Sequence, residues 1–480
     1  MNKRIVFYSV GRILQCEGIL MLLPTIVSLI YRESNWIWLF LAASFAFGLG
    51  TIARISFKKC DRHVFAREGF AVVALSWVFM SAIGALPFFL SGEIPNYISA
   101  FFETVSGFTT TGASIIPDVT ALSRGNLFWR SFTHWVGGMG ILVFIMAVFP
   151  SESGRDVHIM NAEVPGPISG KLMPRLRDTA KTLYLIYLGL TVLEVVLLLF
   201  GEMNLYESLV HSFGTAGTGG FGIKSDSIAS YSTYSQWVIT AFMFVFGINF
   251  NLFYLILIGR AKSAFQSKEL WCYMSIVAVS VIAIAVNVFS IYGNLADTMK
   301  HSAFQVAAII STTGYSTVDF NQWPELSKTI IIILMFVGGC AGSTAGGLKV
   351  SRVMLMFKTV KRDLRRLVHP RSVNTVRLEG KAVDNDTISS VGGYIIIYMI
   401  IFFVTLLLLS FSQYGFLENF TATATCINNI GPGLGAVGPA SNFSGYSHFH
   451  QFVLSFTMLL GRLEIFPILL AFAPSTWRKK

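Results

Sequence analysis

The stretch TVSGFTTTGAS (residues 104–114) has three relatives further along the chain, namely SFGTAGTGGFG (212–222), AAIISTTGYST (307–317) and TCINNIGPGLG (425–435). We call these four the repeat segments. Each follows a short apolar stretch, and alignment on the glycines at positions 112, 220, 314 and 431 gives spacings of 108, 94 and 117 residues. Because recurrence at such a period marks a repeated structural unit, the sequence predicts four copies of one unit.

The composition is typical of a protein that crosses a membrane many times. Of the 480 residues, 54% are hydrophobic and 13% are charged. Apolar runs of about 20 residues usually indicate transmembrane helices, so we predict an all-α membrane protein. Ten spans are predicted near residues 5–31, 36–57, 69–91, 126–149, 180–201, 234–259, 270–292, 326–368, 389–412 and 447–473. Four shorter apolar stretches, too short to span, lie at 96–108, 204–216, 298–311 and 416–427.

The positions of lysine and arginine predict the orientation of the spans. Basic residues crowd both ends of the chain and several connections, and ten fall between Lys349 and Lys381. Residues 92–111 and 414–461 contain none. The positive-inside rule then puts both termini in the cytoplasm and lets the short helices enter from outside. Topology, with contact to anionic membrane lipids, explains the net charge of +11 better than binding to nucleic acid does.

The repeats divide the chain into five predicted parts. A peripheral two-helix domain at 1–67 precedes four pore repeats, which occupy 68–150, 151–262, 263–384 and 385–480. Each repeat reads as span, pore helix, loop and span. Because two spans per repeat leave every copy the same way up, the four copies can surround one axis. This predicts four repeats around one axis normal to the membrane, with two additional N-terminal transmembrane helices.

The repeat segments carry groups that suit a monovalent cation. Irregular backbone at membrane depth is tolerated where it lines a watery cavity, and a ring of carbonyls can replace an ion's hydration shell. Glycine permits the backbone conformation that turns successive carbonyls inward. The predicted filter positions are Thr110, Thr111, Gly112, Thr218, Gly219, Gly220, Thr312, Thr313, Gly314, Asn429, Ile430 and Gly431. Acids near an outer mouth concentrate cations, and the candidates are Glu103, Asp118, Asp226 and Asp319.

The eighth predicted span is interrupted by GGCAGSTAGGLKVSR (338–352), which we call the glycine-rich loop. A phosphate-binding loop is excluded because Leu348 separates Gly347 from Lys349, and because the residue directly after the lysine is Val350 and not Ser or Thr. A helix kink usually needs one glycine or proline, whereas this loop has five glycines. The sequence therefore predicts a soft, polar loop that crosses the pore below the filter.

Arg462 lies inside the last apolar run. Ionisable groups at membrane depth are costly and usually functional. One interpretation pairs Arg462 with Glu464 or another acid for structural reasons. The other places its charge in the pore, where it opposes the passage of cations.

These motifs resemble those of the bacterial Trk-type potassium uptake membrane subunits (TrkH/TrkG-like), within the Trk/Ktr/HKT superfamily. The resemblance extends over essentially the whole chain. It rests on the four repeat segments, the glycine-rich loop, HWVGGMGILV (134–143) and LLGRLEIFPIL (459–469). The two helices ahead of the repeats favour the TrkH type over the Ktr type, which consists of the four repeats alone.

The resemblance implies that the four non-identical repeats form a pseudo-fourfold, potassium-channel-like pore. It also implies a potassium filter, a gate and a regulator. Some plant relatives that favour sodium carry serine in the first repeat, so Gly112 favours potassium. The gate would comprise Gly338, Gly339, Cys340, Ala341, Gly342, Ser343, Thr344, Ala345, Gly346, Gly347, Lys349 and Arg462. A homodimer in the bacterial cytoplasmic (inner) membrane is implied, each chain with its own pore. A cytoplasmic nucleotide-binding subunit of the TrkA type would dock on the basic inner connections, and this chain itself would need no nucleotide.

Three alternatives remain at this point. The first is a sodium- or proton-coupled potassium symporter, and the second is a pore that does not discriminate sodium from potassium. The third is an intramembrane serine protease that uses Ser114 and His134. A protease has no reason for four filter-like loops, so we expect a transporter and not an enzyme.

Overall fold

The computed structural model describes residues 1–58, 66–140, 176–371 and 374–477. In the N-terminal part, α1 (Lys3–Leu20) and α2 (Leu22–Ile30) follow one another closely, and α3 (Trp36–Ser56) packs against both. The contact between α1 and α3 uses glycine. A Cβ atom on Gly50 would lie 2.5 Å from the carbonyl oxygen of Gly11, so only small residues allow this close approach of two helices.

The remaining helices follow the order of the predicted repeats. The first group is α4 (Ala66–Gly84), α5 (Leu86–Leu90), α6 (Tyr97–Phe108) and α7 (Arg124–Gly138). The second is α8 (Leu176–Leu199), α9 (Leu205–Gly217), α10 (Thr233–Phe246), α11 (Phe250–Leu257) and α12 (Ala261–Phe265). The third is α13 (Lys268–Tyr292), α14 (Leu295–Ile310), α15 (Glu325–Val337) and α16 (Val350–Val368). After an antiparallel hairpin of β1 (Arg377–Leu378) and β2 (Lys381–Ala382), the fourth is α17 (Asn385–Leu409), α18 (Phe416–Asn428), α19 (His448–Arg462), α20 (Phe466–Phe472) and α21 (Pro474–Trp477).

The described residues contain six helices long and apolar enough to cross a membrane, or eight candidate spans if each of two bent pairs is counted as one. The helices are those of a multi-pass membrane protein. The interruption predicted near 326–368 is confirmed, because α15 ends at Val337 and α16 begins at Val350. The four short helices are also confirmed, as α6, α9, α14 and α18. The end of the predicted span near 126–149 lies outside the described residues, and the five domain boundaries stay predictions.

Two spans predicted as continuous helices are broken. The pair α10 and α11 is bent by 93°, and the pair α19 and α20 is bent by 119°. At the first break, Gly247 ends one helix and the Asn249 side chain caps the next by accepting from Asn251 N at 2.9 Å. At the second, Glu464 and Ile465 take positive φ values of 54° and 65°, which the α-helix does not allow.

Asparagine begins three of the four short helices. The side chains of Asn96, Asn204 and Asn294 each accept a hydrogen bond from a backbone N–H in the first turn. Asn204 also forms a capping box with Glu207. Such caps satisfy donors that the helix leaves free, and they fix where each short helix starts.

Candidate functional site

The four repeat segments share one unusual backbone conformation. The first or second residue after each short helix is left-handed, with φ between 54° and 58°, and so is the glycine two residues later, with φ between 75° and 101°. The first set is Thr110, Thr218, Thr312 and Asn429, and the second is Gly112, Gly220, Gly314 and Gly431. For threonine, which is β-branched, this region costs roughly 1–2 kcal/mol. Strain of this kind clusters at functional sites.

One hydrogen bond recurs in all four segments and holds this conformation. The residue after each left-handed residue donates its N–H to the carbonyl five positions earlier. The four bonds are Thr111 to Ser106 (2.9 Å), Gly219 to Gly214 (2.8 Å), Thr313 to Ala308 (2.8 Å) and Ile430 to Thr425 (2.9 Å). This is the six-to-one bond that closes a helix C-terminus when a left-handed residue follows it.

The four segments contact one another in cyclic order. A Cβ atom on Gly112 would lie 2.0 Å from the Gly219 carbonyl oxygen, and one on Gly220 would lie 1.9 Å from that of Thr313. A Cβ atom on Gly314 would lie 2.1 Å from the Ile430 oxygen, and one on Gly431 would lie 2.9 Å from that of Thr111. Each glycine therefore faces a carbonyl of the next segment, and the fourth returns to the first. None of these positions has space for an added carbon atom without a shift of the neighbouring segment.

A pocket of about 170 Å³ adjoins this cluster and is lined by all four glycines. Pro117, Val119, Ser225 and Ser227 also line it, and they flank the exposed acids Asp118 and Asp226. Asp118 accepts from the Thr120 hydroxyl at 2.6 Å and from the Ser225 hydroxyl at 3.1 Å. The hydrogen bonds from Thr120, followed by that from Ser225, lower the pKa of Asp118. Asp319 begins a short 3-10 turn, as Asp118 also does, and it accepts from Asn321 N at 3.0 Å.

Glu103 differs from the other predicted mouth acids because it is buried, with 1% of its surface exposed. It pairs with Arg130 Nε at 2.6 Å and accepts from the Ser114 hydroxyl and from Ile115 N, at 3.0 and 2.9 Å. Arg130 also donates to the Gly222 carbonyl at 3.1 Å. The structure thus places Glu103 behind the first repeat segment and not at an open mouth, because its carboxylate is needed by Arg130.

We expect Glu103→Gln to destabilise the protein strongly. The substitution leaves the Arg130 charge buried without its counter-charge, and such a loss typically costs about 3–5 kcal/mol. The measurement is thermal unfolding of the purified protein in detergent. The control is Glu325→Gln, since Glu325 pairs with Lys328 through a side chain that is 89% exposed and should contribute at most about 1 kcal/mol. Equal melting temperatures for the two variants would contradict a structural role of the buried pair.

The glycine-rich loop lies directly against two repeat segments. The Thr218 hydroxyl donates to the Thr344 carbonyl at 3.0 Å, and Gly346 N donates to the Thr312 hydroxyl at 2.6 Å. The hydroxyls involved belong to two of the left-handed threonines. On Gly346, a Cβ atom would lie 2.3 Å from the Asn428 carbonyl oxygen, so the loop also reaches the fourth segment. The loop is therefore in contact with three of the four segments.

The break between α10 and α11 holds the other side of the loop. Cys340 N donates to the Gly247 carbonyl at 2.9 Å, and Phe250 N donates to the Gly342 carbonyl at 3.0 Å. The Thr344 hydroxyl donates to the Phe246 carbonyl at 3.2 Å. These hydrogen bonds use backbone atoms that lie at the break. The position of the loop therefore depends on α10 and α11 being separate helices.

Arg462 joins the loop to the end of α7. One of its terminal nitrogens donates to the Thr344 carbonyl at 2.9 Å, and the other donates to those of Gly137 and Gly138 at 2.6 and 2.7 Å. The predicted contact of Arg462 with the loop is therefore present. The Glu464 carboxylate pairs with Arg352. Buried Lys349 donates to the Ala345 carbonyl, and a cavity of about 90 Å³ is lined by the loop, Lys349 and Arg462.

After each of the four aligned glycines, a helix ends 23 to 31 residues further along the chain. Only the third of these helix ends was predicted from the sequence. The helices α7, α10, α15 and α19 end at Gly138, Phe246, Val337 and Arg462. The signal was present as glycines at 138, 247, 338 and 461, which lie 24 to 30 residues after the aligned repeat glycines. Only the third of these sites opens into a long loop among the described residues.

Fold and site together define a multi-pass membrane protein in which four glycine-bearing segments meet in a closed order. Comparison with known proteins agrees with this class. The TrkH family, described as cation transport protein, matches residues 37–479. The chain belongs to this family.

Several relatives match the chain along its whole length. It is 34% identical to the Trk system potassium uptake protein TrkH of Escherichia coli K12, with 100% of both chains covered. It is 32% identical to the Trk system potassium uptake protein TrkG of the same organism, with 99% of each covered. The crystal structure of the potassium transporter TrkH from Vibrio parahaemolyticus superposes with a TM-score of 0.90, at 30% identity and 100% coverage of both chains.

Proposed function

We propose that this protein takes up potassium across the bacterial cytoplasmic membrane through a gated pore formed by its four repeats. The observation that carries the proposal is the cyclic contact between the four repeat glycines and the carbonyls of the next segments. Such a ring can offer carbonyl oxygens in place of the hydration shell of a potassium ion. The names of the full-length relatives support potassium as the ion.

The glycine-rich loop is the gate in this proposal. It is hydrogen-bonded to Thr218 and Thr312, so it occupies the space immediately next to the proposed filter. Arg462 adds a positive charge at the same place. At an effective dielectric constant of about 20, a charge about 5 Å from a cation raises its energy by about 3 kcal/mol. Conduction then requires that the loop and Arg462 move away.

The proposal includes two protein partners. A second copy of the chain forms a homodimer in which each copy keeps its own pore. A cytoplasmic nucleotide-binding subunit of the TrkA type controls the loop. Helix α16 supports the second partner because it begins where the glycine-rich loop ends and exposes Lys361, Arg365 and Arg366. A subunit that pulls on this helix would act directly on the loop.

A coupled carrier is the second candidate, and one observation favours it. Discontinuous helices at membrane depth are typical of carriers, and here two predicted spans are bent by 93° and 119°. Against this, carriers often have inverted repeats, whereas units of two spans each are parallel. A sodium- or proton-coupled symporter would need the second ion for net uptake, and a gated pore would not.

Rubidium-86 uptake into vesicles that contain the purified chain tests the function. With a potassium gradient as the only gradient, we expect uptake that persists without sodium or proton gradients and increases when the regulatory subunit and its nucleotide are added. A tenfold excess of sodium should leave uptake largely unchanged if the carbonyl ring selects potassium. Uptake that requires a sodium or proton gradient would favour the carrier, and full competition by sodium would favour a non-discriminating pore.

A further inference from the structure

A buried glutamate lies beneath the glycine-rich loop and has no role in the mechanism described so far. Glu269 is in the first turn of α13, and 8% of its surface is exposed. Its carboxylate accepts from Ala341 N near the start of the loop, at 2.8 Å. It also forms a hydrogen bond with the backbone of Ser351, in the first turn of α16. One carboxylate therefore connects the two ends of the loop.

The β1–β2 hairpin is hydrogen-bonded to the first turn of α13, which carries Glu269. Glu379 and Gly380 form the two-residue turn of this hairpin, with φ values of 48° and 78°. The Glu379 carboxylate accepts from Glu269 N at 2.8 Å and from Lys268 N at 3.1 Å. A negative group at a helix N-terminus satisfies free N–H donors and complements the helix dipole. The hairpin thus fixes the end of α13 from which Glu269 projects.

The same hairpin contacts the helix that follows the loop. Lys358 of α16 donates to the Arg377 carbonyl at 2.9 Å. Beside these contacts lies a cavity of about 480 Å³, which is lined by Glu269, Ala341, Ser351 and Glu379 among others. The first residues of the loop therefore have open space on the side that Glu269 occupies.

We propose that Glu269 is a positioning residue that holds the glycine-rich loop against the repeat segments, and that Glu379 sets the position of Glu269. Displacement of the β1–β2 hairpin would then free the first turn of α13 from Glu379. Because Glu269 lies in that turn, both ends of the loop would lose their contact with its carboxylate. The part of this inference that concerns ion flow rests on the proposed gate function of the loop. That Glu269 and Glu379 hold the loop in place is a separate claim, and the modification rate of a cysteine in the loop tests it.

The native cysteine Cys340 reports on the loop because it lies within it and is fully buried. In a variant with Cys340 as the only cysteine, a thiol reagent reacts only when the loop opens locally. We expect Glu269→Ala to raise the modification rate of Cys340 about tenfold and Glu379→Gln to raise it several-fold. If both act through one path, the double variant should react no faster than Glu269→Ala alone.

Two controls separate loop release from general destabilisation. A second background keeps only Cys426, which is equally buried but lies in α18, and its modification rate should not change. Glu325→Ala removes another glutamate from a helix first turn, here an exposed one, and should leave Cys340 unreactive. If Glu269→Ala does not fold, Glu269→Gln keeps one acceptor for Ala341 N and should give a smaller increase.

The outcomes separate two claims: that Glu269 and Glu379 hold the loop (the link), and that the loop controls ion flow (the gate). An unchanged Cys340 rate, equal increases at Cys340 and Cys426, or additive effects in the double variant would overturn the link. A faster Cys340 rate together with higher rubidium-86 uptake in the absence of the regulator supports both link and gate. A faster Cys340 rate with unchanged uptake supports the link and counts against the gate.

Discussion

Gly112→Ser should abolish selective uptake, with rubidium-86 influx reduced at least about tenfold, equivalent to 1.4 kcal/mol or more. The added Cβ atom would lie 2.0 Å from the Gly219 carbonyl oxygen, so the second repeat segment must shift. That carbonyl belongs to the proposed filter, and its displacement disturbs two of the four segments at once. The measurement is rubidium-86 uptake into vesicles with and without competing sodium, in which the remaining uptake should lose its preference over sodium.

Gly92→Ser is the matched control for this substitution. Gly92 has φ of 78° against 79° for Gly112, but nothing lies within 4 Å of an added Cβ atom. Both variants therefore carry the same backbone penalty, about 1–2 kcal/mol, and only one carries the collision. Normal uptake by Gly112→Ser, or an equal loss in both variants, would show that the contact with Gly219 does not matter for transport.

Arg462→Ala should raise rubidium-86 uptake in the absence of the regulatory subunit by at least about tenfold. The substitution removes three hydrogen bonds that join the loop and α7, together with a positive charge in the proposed pathway. Both losses act in the same direction, because the loop is freed and the electrostatic barrier is lowered. Arg462→Lys keeps the charge but cannot bridge the same three carbonyls, so it should give an intermediate increase.

Arg54→Ala provides the control, since Arg54 is an exposed arginine near the end of α3. It should leave basal uptake unchanged. Shortening the loop by removing residues 341–346 tests the same idea without altering Arg462, and it should also raise basal uptake. If Arg462→Ala and the shortened loop both transport at the basal rate, the loop is not the gate.

The sequence predicted the four repeat segments and the interrupted helix because both depend on local composition. Glycine recurs in apolar surroundings at four related positions, with threonine close before it at three of them, and this pattern indicates an irregular backbone. The left-handed conformation of Gly112, Gly220, Gly314 and Gly431 follows from the same residues. Pairing between segments could be expected only in outline, because contacts between residues about 100 positions apart depend on the tertiary arrangement.

The additional breaks and the place of Glu103 could not be predicted in the same way. The apolar runs continue through Gly247 and through Leu463, so hydropathy favours unbroken helices at both places. The breaks are stabilised by tertiary contacts, such as those between the α10–α11 connection and the glycine-rich loop. Glu103 was misplaced because its partner, Arg130, lies on the next helix, and only the packing of α6 against α7 brings the two together.

The ring of glycine contacts is not equally tight all the way round. Three of its contacts would place an added carbon atom within 2.1 Å of a carbonyl oxygen, whereas at Gly431 the distance is 2.9 Å. The contact between the fourth and the first quarter of the ring is therefore the one that tolerates most divergence in sequence. The fourth quarter has already diverged furthest, with Asn429 and Ile430 where the first and third have two threonines. Since all quarters belong to one polypeptide, such divergence alters one side of the ring alone, which an assembly of four identical chains could never do.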